Sequence, residues 1–355
     1  MPTHARRFPR SAQALCGAAA VMLLVTSCGS GDDDGELETL TIDFATYNPL
    51  SLIILEHGWL EEELEDLGTE VTWVQSHGSN QANENLRAGN LHVGSAAGSA
   101  ALLNRSVGAD VHTFYVESQP EWAALVAQPD SEVQGPEDLE GATVAATLAT
   151  DPFFFLAQTL DEAGLTLDDV EVQSLQHADG RQALENGDVD AWMGLDPIMG
   201  DAELAGAELV HRDVDFNTYS TVNATADFLE DYPEVAQTVT DVYEQARQWA
   251  EENPEETAEI LAEHAGIDLE VAELVLDERV NFDISPVPGD DLHGSLEPVG
   301  PFFVENGDVD TEEQVDEALE ELFWTEYAEQ AEPTDAEGSE DAAHEADIAE
   351  DEDDA

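Results

Sequence analysis

The sequence predicts an α/β fold of two lobes, each a mostly parallel sheet flanked by helices, with a ligand cleft between them. Two observations carry that prediction. Residues 184–201 read LENGDVDAWMGLDPIMGD: an amphipathic helix runs down to Leu184 and is closed by Gly187, a short apolar strand covers 189–193, and a polar loop follows through Gly194, Asp196 and Pro197. Glycine is the usual residue for the left-handed turn that ends a helix. Helix, stop, buried strand and loop make one half-unit of an open sheet, in which small ligands sit at the carboxyl ends of strands. Ninety-eight residues earlier the pattern recurs, Leu86-Arg-Ala-Gly89-Asn-Leu-His-Val-Gly94 aligning with Leu184-Glu-Asn-Gly187-Asp-Val-Asp-Ala-Trp192. Two half-units in a chain of 355 residues suit two lobes facing each other.

Composition excludes one large class of function. Nine basic residues, all arginine, stand against 82 acidic ones for a formal net charge of −73. Phosphate backbones attract the opposite sign, so nucleic acid is not a partner. Strong acidity can mean disorder, but 42% hydrophobic residues arranged in periodic runs describe a folded chain from a salty medium. At molar ionic strength the Debye length is about 3 Å, which screens the self-repulsion.

The amino terminus has a three-part make-up: Arg6, Arg7 and Arg10, an apolar run over 14–25, then Thr26-Ser27-Cys28-Gly29. That is the grammar of a secretory signal, and the run is short for a membrane span. Residues 1–27 are expected to be removed. Val25-Thr26-Ser27-Cys28 resembles the bacterial lipobox, so Cys28 is expected to be the lipidated first residue of the mature chain. Cys16 lies in the signal, which leaves a single cysteine and no disulfide. Residues 28–38 form a Gly- and Asp-rich tether.

The elements then follow in order. Leu40, Ile42 and Phe44 alternate as a strand does; Tyr47-Asn48-Pro49 is the loop after it, and a helix starts at Leu50 and ends near Gly58. A strand over 71–74 precedes His77-Gly78-Ser79-Asn80, where Asn80 is placed to cap the helix that runs to Gly89. A strand over 91–93, the loop Gly94 to Ser99, a third helix and a strand over 111–116 complete the half, and residues 117–120 cross to the second lobe. There, 122–127 is a strand, 135–139 a turn and short helix, and 143–146 a buried strand. Residues 147–152 form a loop with Pro152 near a helix start, and Phe153-Phe154-Phe155 packs that helix. A strand over 170–175 and a helix capped by Asp179 lead into the repeated motif. Strands over 209–211 and 218–222 follow, the latter returning to lobe one. From Asp231 the chain is helical: Val235, Val239, Val242, Ala246 and Trp249 fall on one face, Asn253-Pro254 separates a second helix ending at Gly266, and Asp268 opens a third. A last helix covers 312–327. The letters at 305–310 copy those at 185–190 and read as a helix stop only. Residues 329–355, half of them acidic from Glu332 on, are expected to be a disordered, solvated tail.

Signatures of catalysis do not hold. In Gly94-Ser95-Ala-Ala-Gly98 the serine stands one place too early for a nucleophile elbow, the histidines are scattered with no metal-ligand spacing, and Asp32-Asp33-Asp34-Gly35 lacks the spacing of a calcium loop. A Walker loop needs a lysine, and there is none. No catalytic residue, metal or cofactor is expected. What remains is a set of polar loops at strand ends, each before a helix: 47–49, 78–80, 95–99, 147–151 and 194–196. Free N–H groups at helix starts bind anions without any cationic side chain.

Gly187-Asp-Val-Asp190-Ala-Trp192 through Asp196-Pro197 with Glu203, together with residues 86–98, Asp130-Ser131 to Glu137-Asp138-Leu139-Glu140-Gly141, and residues 246–254, resemble the solute-binding proteins of ATP-driven importers. The branch is the aliphatic sulfonate, taurine and nitrate one of the type II periplasmic-binding fold, and the similarity covers residues 38–328. Where relatives often carry a Trp before the Asp-Pro pair this chain has Leu195, and its 94–99 loop is poor in polar side chains. The resemblance implies lobe 1 from residues 39–116 and 224–328 and lobe 2 from 117–223, closing on a small anion. An aliphatic sulfonate leads; taurine, nitrate and a pyrimidine precursor of thiamine are alternatives. It implies a monomer held at the outer face of the cytoplasmic membrane beside a permease and its ATPase, and not an enzyme. A thiamine-pyrimidine enzyme of similar fold would carry a His/Cys-rich motif, and a purely structural acidic lipoprotein would show no ligand-dependent closure. The site is expected to include Tyr47, Asn48, Gly78, Ser79, Ser95, Gly98, Ser99 and Thr150. Phe153 and Trp192 would cover the alkyl part. Asp196 would face an ammonium group or lock its own turn.

Overall fold

The structure, a computed structural model, describes residues 37–334, 336, 347 and 348. Cys28, the signal and tether residues 28–36 lie outside the described residues; Leu37, read as tether, is instead buried, its carbonyl accepting from Thr69 Oγ1 at 2.8 Å. The chain opens with strand β1 (Thr39–Phe44), helices α1 (Pro49–His57) and α2 (Trp59–Glu65), β2 (Glu70–Gln75), α3 (Ser79–Ala88), β3 (Val93–Ala97), α4 (Gly98–Ser106) and β4 (Val111–Pro120). It crosses into β5 (Ala123–Ala127), β6 (Thr143–Ala146), α5 (Asp151–Glu162), β7 (Glu171–Ser174), α6 (His177–Asn186), β8 (Ala191–Leu195), α7 (Ile198–Leu204) and β9 (Glu208–His211). It returns through β10 (Ser220–Thr225) and ends in α8 (Ala226–Asp231), α9 (Pro233–Glu252), α10 (Pro254–Ala265), α11 (Leu269–Arg279), β11 (Val280–Asn281), α12 (Asp290–Leu296), α13 (Gly300–Glu305), α14 (Glu312–Glu321) and β12 (Asp347–Ile348).

Two mixed sheets result, ordered β11-β4-β10-β3-β1-β2-β12 and β7-β6-β8-β5-β9, and the expected two-lobed α/β architecture is the observed one. Each lobe follows the same plan. In lobe 1, β3 lies between its parallel neighbour β1 and the antiparallel crossing strand β10. In lobe 2, β8 lies between parallel β6 and antiparallel β5. Both half-units end their helix on a left-handed glycine, Gly89 at φ 72° and Gly187 at φ 74°, whose N–H groups close onto the last turn. The carboxyl ends of β1, β2 and β3 therefore match those of β6, β7 and β8, and each is followed by a helix start.

Apolar periodicity builds the core as the sequence predicts. Leu40 and Ile42 of β1 are fully buried, and α1 is apolar on nearly every face because β1 and α9 enclose it. Val235, Val239, Val242 and Ala246 of α9 are buried together. A second cluster runs from α4 through α12, α13 and α14 to α5 and the second sheet, with the Phe154 and Phe303 rings 4.8 Å apart. The short helices α12 and α13 carry no periodicity that announces them. Gly307, at φ 78°, follows α13 as a helix stop, as read.

Several boundaries differ, each for a tertiary reason. The helix read as capped by Asn80 starts at Ser79 with Gly78 as its cap residue; Gln81 Oε1 accepts from His77 N at 2.8 Å and ties down the turn. Asp179 does not cap α6, which begins two residues earlier. The last long helix stops at Glu321, because Leu322 O accepts from Thr113 N and Trp324 N donates to Thr113 O, each at 2.9 Å. Part of the segment read as a solvated tail is docked: Ala336 is buried, its carbonyl accepts from Gln245 Nε2 at 2.9 Å, and β12 runs parallel to β2.

Candidate functional site

The helix starts at the strand ends are the candidate site, beginning with the first loop of lobe 1. Asn48 caps α1, its Oδ1 accepting from Ser51 N at 3.1 Å while Nδ2 reaches Tyr243 Oη at 3.4 Å. Tyr47 donates to Ser95 O at 3.1 Å and meets Trp122 edge-on at 6.3 Å. Beneath them Asp43 is wholly buried and accepts from Ser95 N at 2.8 Å and from Ser95 Oγ at 3.1 Å. Burial pushes its pKa up to about 7 against the hydrogen bonds from Ser76 and Ser95. Glu117 is raised to about 7 in the same way, with Ser118, Ser220 and the Leu50 N–H holding it down.

At the second loop Gly78 is extended, at φ 175°, which any residue adopts. Space is what requires glycine: a Cβ there would lie 2.7 Å from Asn80 Oδ1 and 3.2 Å from His177 Nε2. His177 is the first residue of α6, so the starts of α3 and α6 meet across the lobes. His177 is 2% exposed, and its Nε2 has no hydrogen-bond partner; Asn80 Oδ1 beside the same loop has none either. Ser79 faces the other way, its Oγ accepting from Ala97 N at 3.0 Å.

The third loop of lobe 1 is occupied by packing. A Cβ on Gly98 would lie 3.0 Å from Leu292 Cδ1 and 3.2 Å from Leu296 Cδ2, so its glycine admits α12. Ser99 Oγ donates to Asp151 Oδ1 at 2.6 Å.

Asp151 is the node of lobe 2. It also accepts from Thr218 Oγ1 at 2.7 Å, Thr218 N at 2.8 Å and Trp122 Nε1 at 2.7 Å. Burial raises its pKa, and these donors work against the rise. Thr150, just before it, turns its hydroxyl to Thr147 O at 2.6 Å and leaves the start of α5 without a side-chain cap. Phe153 packs on Phe154 and lines a cavity of about 740 Å³ between α5, β7 and α13, whose lining includes neither Gly78 nor His177.

Trp192 is a correction. It is 1% exposed and packs on Gly180 of α6, where a Cβ would lie 2.7 Å from the indole. Side chains alternate along a strand: Ala191, Met193 and Leu195 enter one core and Trp192 the other, three residues before β8 ends. Asp196 is likewise engaged within the protein. Its carboxylate accepts from Gly200 N at 2.9 Å and from Arg279 Nη1 at 3.0 and 3.1 Å. Burial raises it to about 6, with Arg279 pulling the other way. Arg279, 3% exposed, also binds Glu203; burial opposes its charge, but the two carboxylates outweigh that and its pKa goes up.

Of the expected site residues the structure thus brings Gly78 to the lobe junction, with Tyr47, Ser95, Ser99, Thr150 and Asp196 engaged in the scaffold around it. His177, Asp151, Asp43 and Arg279 were not singled out in the sequence. Only His177 left a usable signal: the half-unit repeat puts it opposite Ser79, ninety-eight positions earlier. Among the described residues no group of three or more His, Cys, Asp or Glu side chains is placed to hold a metal ion.

The comparisons agree with the fold. A relative from Escherichia coli (strain K12), named as an aliphatic sulfonates-binding protein, is 27% identical over 253 residues, covering 70% of this chain and 79% of its own. One of the same name from Bacillus subtilis (strain 168) is 25% identical over 312 residues, covering 86% and 93%. The alkanesulfonate-binding protein SsuA from Xanthomonas axonopodis pv. citri, solved bound to MOPS, superposes with a TM-score of 0.72 at 22% identity over 80% of this chain and 98% of that one. Residues 53–257 match the family described as NMT1/THI5 like, and the chain belongs to that family.

Proposed function

We propose that the protein is the extracytoplasmic solute-binding component of an ABC importer, capturing a small anion, an aliphatic sulfonate, between its lobes for delivery to the permease. The observation that carries this reading is the meeting of two helix starts, Gly78–Ser79 of α3 and His177 of α6, with two polar atoms there, His177 Nε2 and Asn80 Oδ1, lacking partners. A helix start presents unpaired N–H groups and a positive dipole end to an anion. A sulfonate is permanently ionised and offers three acceptor oxygens. The names carried by the relatives supply the chemical class. Fold alone does not separate a binding protein from an enzyme. Binding is favoured because the hydroxyls of Ser79, Ser95, Ser99 and Thr150 are held by backbone groups or by buried carboxylates, and none is paired with a histidine as an activated nucleophile would be.

Lobe 1 comprises residues 39–116 and 224–328 and lobe 2 residues 117–223 in this reading, closing about the β4–β5 and β9–β10 connections. The protein acts as a monomer anchored through Cys28 at the outer face of the membrane; mass spectrometry of membrane-extracted protein finding an unmodified amino terminus at another residue overturns the anchor. Calorimetric titration in molar salt with ethanesulfonate, taurine and nitrate tests the ligand. Ethanesulfonate is expected to bind; binding of a neutral heterocycle in its place overturns the sulfonate reading.

A further inference from the structure

His177 is the one histidine in the described structure that faces the junction of the two helix starts, and its hydrogen bonding fixes its protons. The Thr147 hydroxyl donates to Leu175 O at 2.7 Å, so at the 3.2 Å contact between Thr147 Oγ1 and His177 Nδ1 the ring nitrogen is the donor. In a neutral ring that leaves Nε2 with a bare lone pair, buried, unpartnered and aimed at Gly78. Burial alone lowers the pKa, to about 4.

The charged groups around it do not supply the balance. On its own helix are Asp179 and Arg181, and His77 adjoins Gly78. On α7, which packs against α6, Asp201 is bound by Arg181 and Glu203 by Arg279. An anion placed at the start of α3 would therefore face a lone pair unless a proton enters between them.

We propose that His177 is the cleft's direct contact for its anion and that it takes up a proton as the anion is captured, so that binding and protonation are one event. This rests on the reading that the ligand is an anion. The proton moves from solvent to Nε2, which then donates to a ligand oxygen, while Nδ1–H stays on Thr147. The imidazolium is the charge partner that a chain without lysine otherwise lacks here. Free of ligand, the buried ring returns its proton, and the same step that discharges it loosens the anion.

Ethanesulfonate, which does not titrate near neutral pH, is the probe. Calorimetry on the full chain at one pH in two buffers of different ionisation enthalpy is expected to show close to one proton taken up per anion. The Kd is expected to tighten about tenfold for each unit of pH lowered between 8 and 6. His177→Gln, whose amide is a donor without a titration, is expected to bind with no proton uptake and a Kd flat over that range. Wild-type binding with no proton uptake overturns the proposal while leaving the sulfonate reading intact, as does uptake that persists in His177→Gln. Absence of wild-type binding overturns both. The wild-type measurement is decisive even if the variant fails to fold.

Discussion

The lobes share a plan and differ at its three matching helix starts. Lobe 1 holds neutral groups there: Asn48 before α1, Gly78 and Ser79 at α3, Ala97 and Gly98 at α4. Lobe 2 holds ionisable ones: Asp151 at α5, His177 at α6, and Asp196 just before α7. Each of these reaches out of its own lobe, Asp151 to Ser99, His177 to Gly78 and Asp196 to Arg279. The shared plan makes two similar sheets. The asymmetry ties them together.

Removing the anchors tests that asymmetry most severely. Asp151→Ala strands the donors of Ser99, Trp122 and Thr218 in a dry site, and a loss of about 3 kcal/mol or more is expected. Asn48→Ala, its counterpart in lobe 1, removes one helix cap at about 1 kcal/mol. Urea unfolding in molar salt measures both, and equal losses would dissolve the distinction. Next comes Arg279→Met, which leaves Asp196 buried without its counter-charge at about 3 kcal/mol. Adding Asp196→Leu to that variant should recover much of the loss, and a double-mutant cycle showing simple additivity would mean that the pair does not couple the lobes.

Acidity tests the buried ionisable groups themselves, since the carboxylates and the imidazole titrate with opposite sign. Asp43 and Glu117 have folded values near 7 and Asp196 one near 6, all above ordinary carboxylates. Their contribution is fully present below pH about 4 and lost as pH rises to about 7. His177 has a folded value near 4, so it opposes folding as pH falls from about 6.5 towards 4. With several raised carboxylates against one imidazole, the melting temperature is expected to rise from pH 8 to pH 5. Asp43→Asn should flatten the slope, and His177→Gln should steepen it below pH 6.5. The smallest effect tests what the lobes share. Gly89→Ala and Gly187→Ala each force a side chain into a left-handed helix stop, and matched losses of about 1 kcal/mol are expected. A clear mismatch would mean that the two half-units are not equivalent.

That shared part is also what the sequence makes legible. Apolar alternation in β1, the stripe of α9 and the stops at Gly89 and Gly187 are decided by neighbours a few residues away, and they fall where the pattern puts them. The helix starts depend on partners brought from far along the chain. His177 acquires its meaning from Gly78, Asp151 from Ser99 and Thr218, and Asp196 from Arg279. Nothing local marks those pairings, and with 82 acidic residues a carboxylate that matters looks like its neighbours. Trp192 and Gly98 show the same dependence: α6 packs on one and α12 on the other, contacts that nothing near them in the sequence announces.

The close approach at Gly78 has an evolutionary consequence. Its backbone is one that every amino acid adopts, so local conformation does not defend the glycine; only its neighbours do. A change to alanine or serine would set a new carbon 2.7 Å from Asn80 Oδ1 and 3.2 Å from His177 Nε2. Drift at this position is therefore coupled to drift at two others, one close by in the chain and one ninety-nine residues away, and the three positions are expected to change together or not at all.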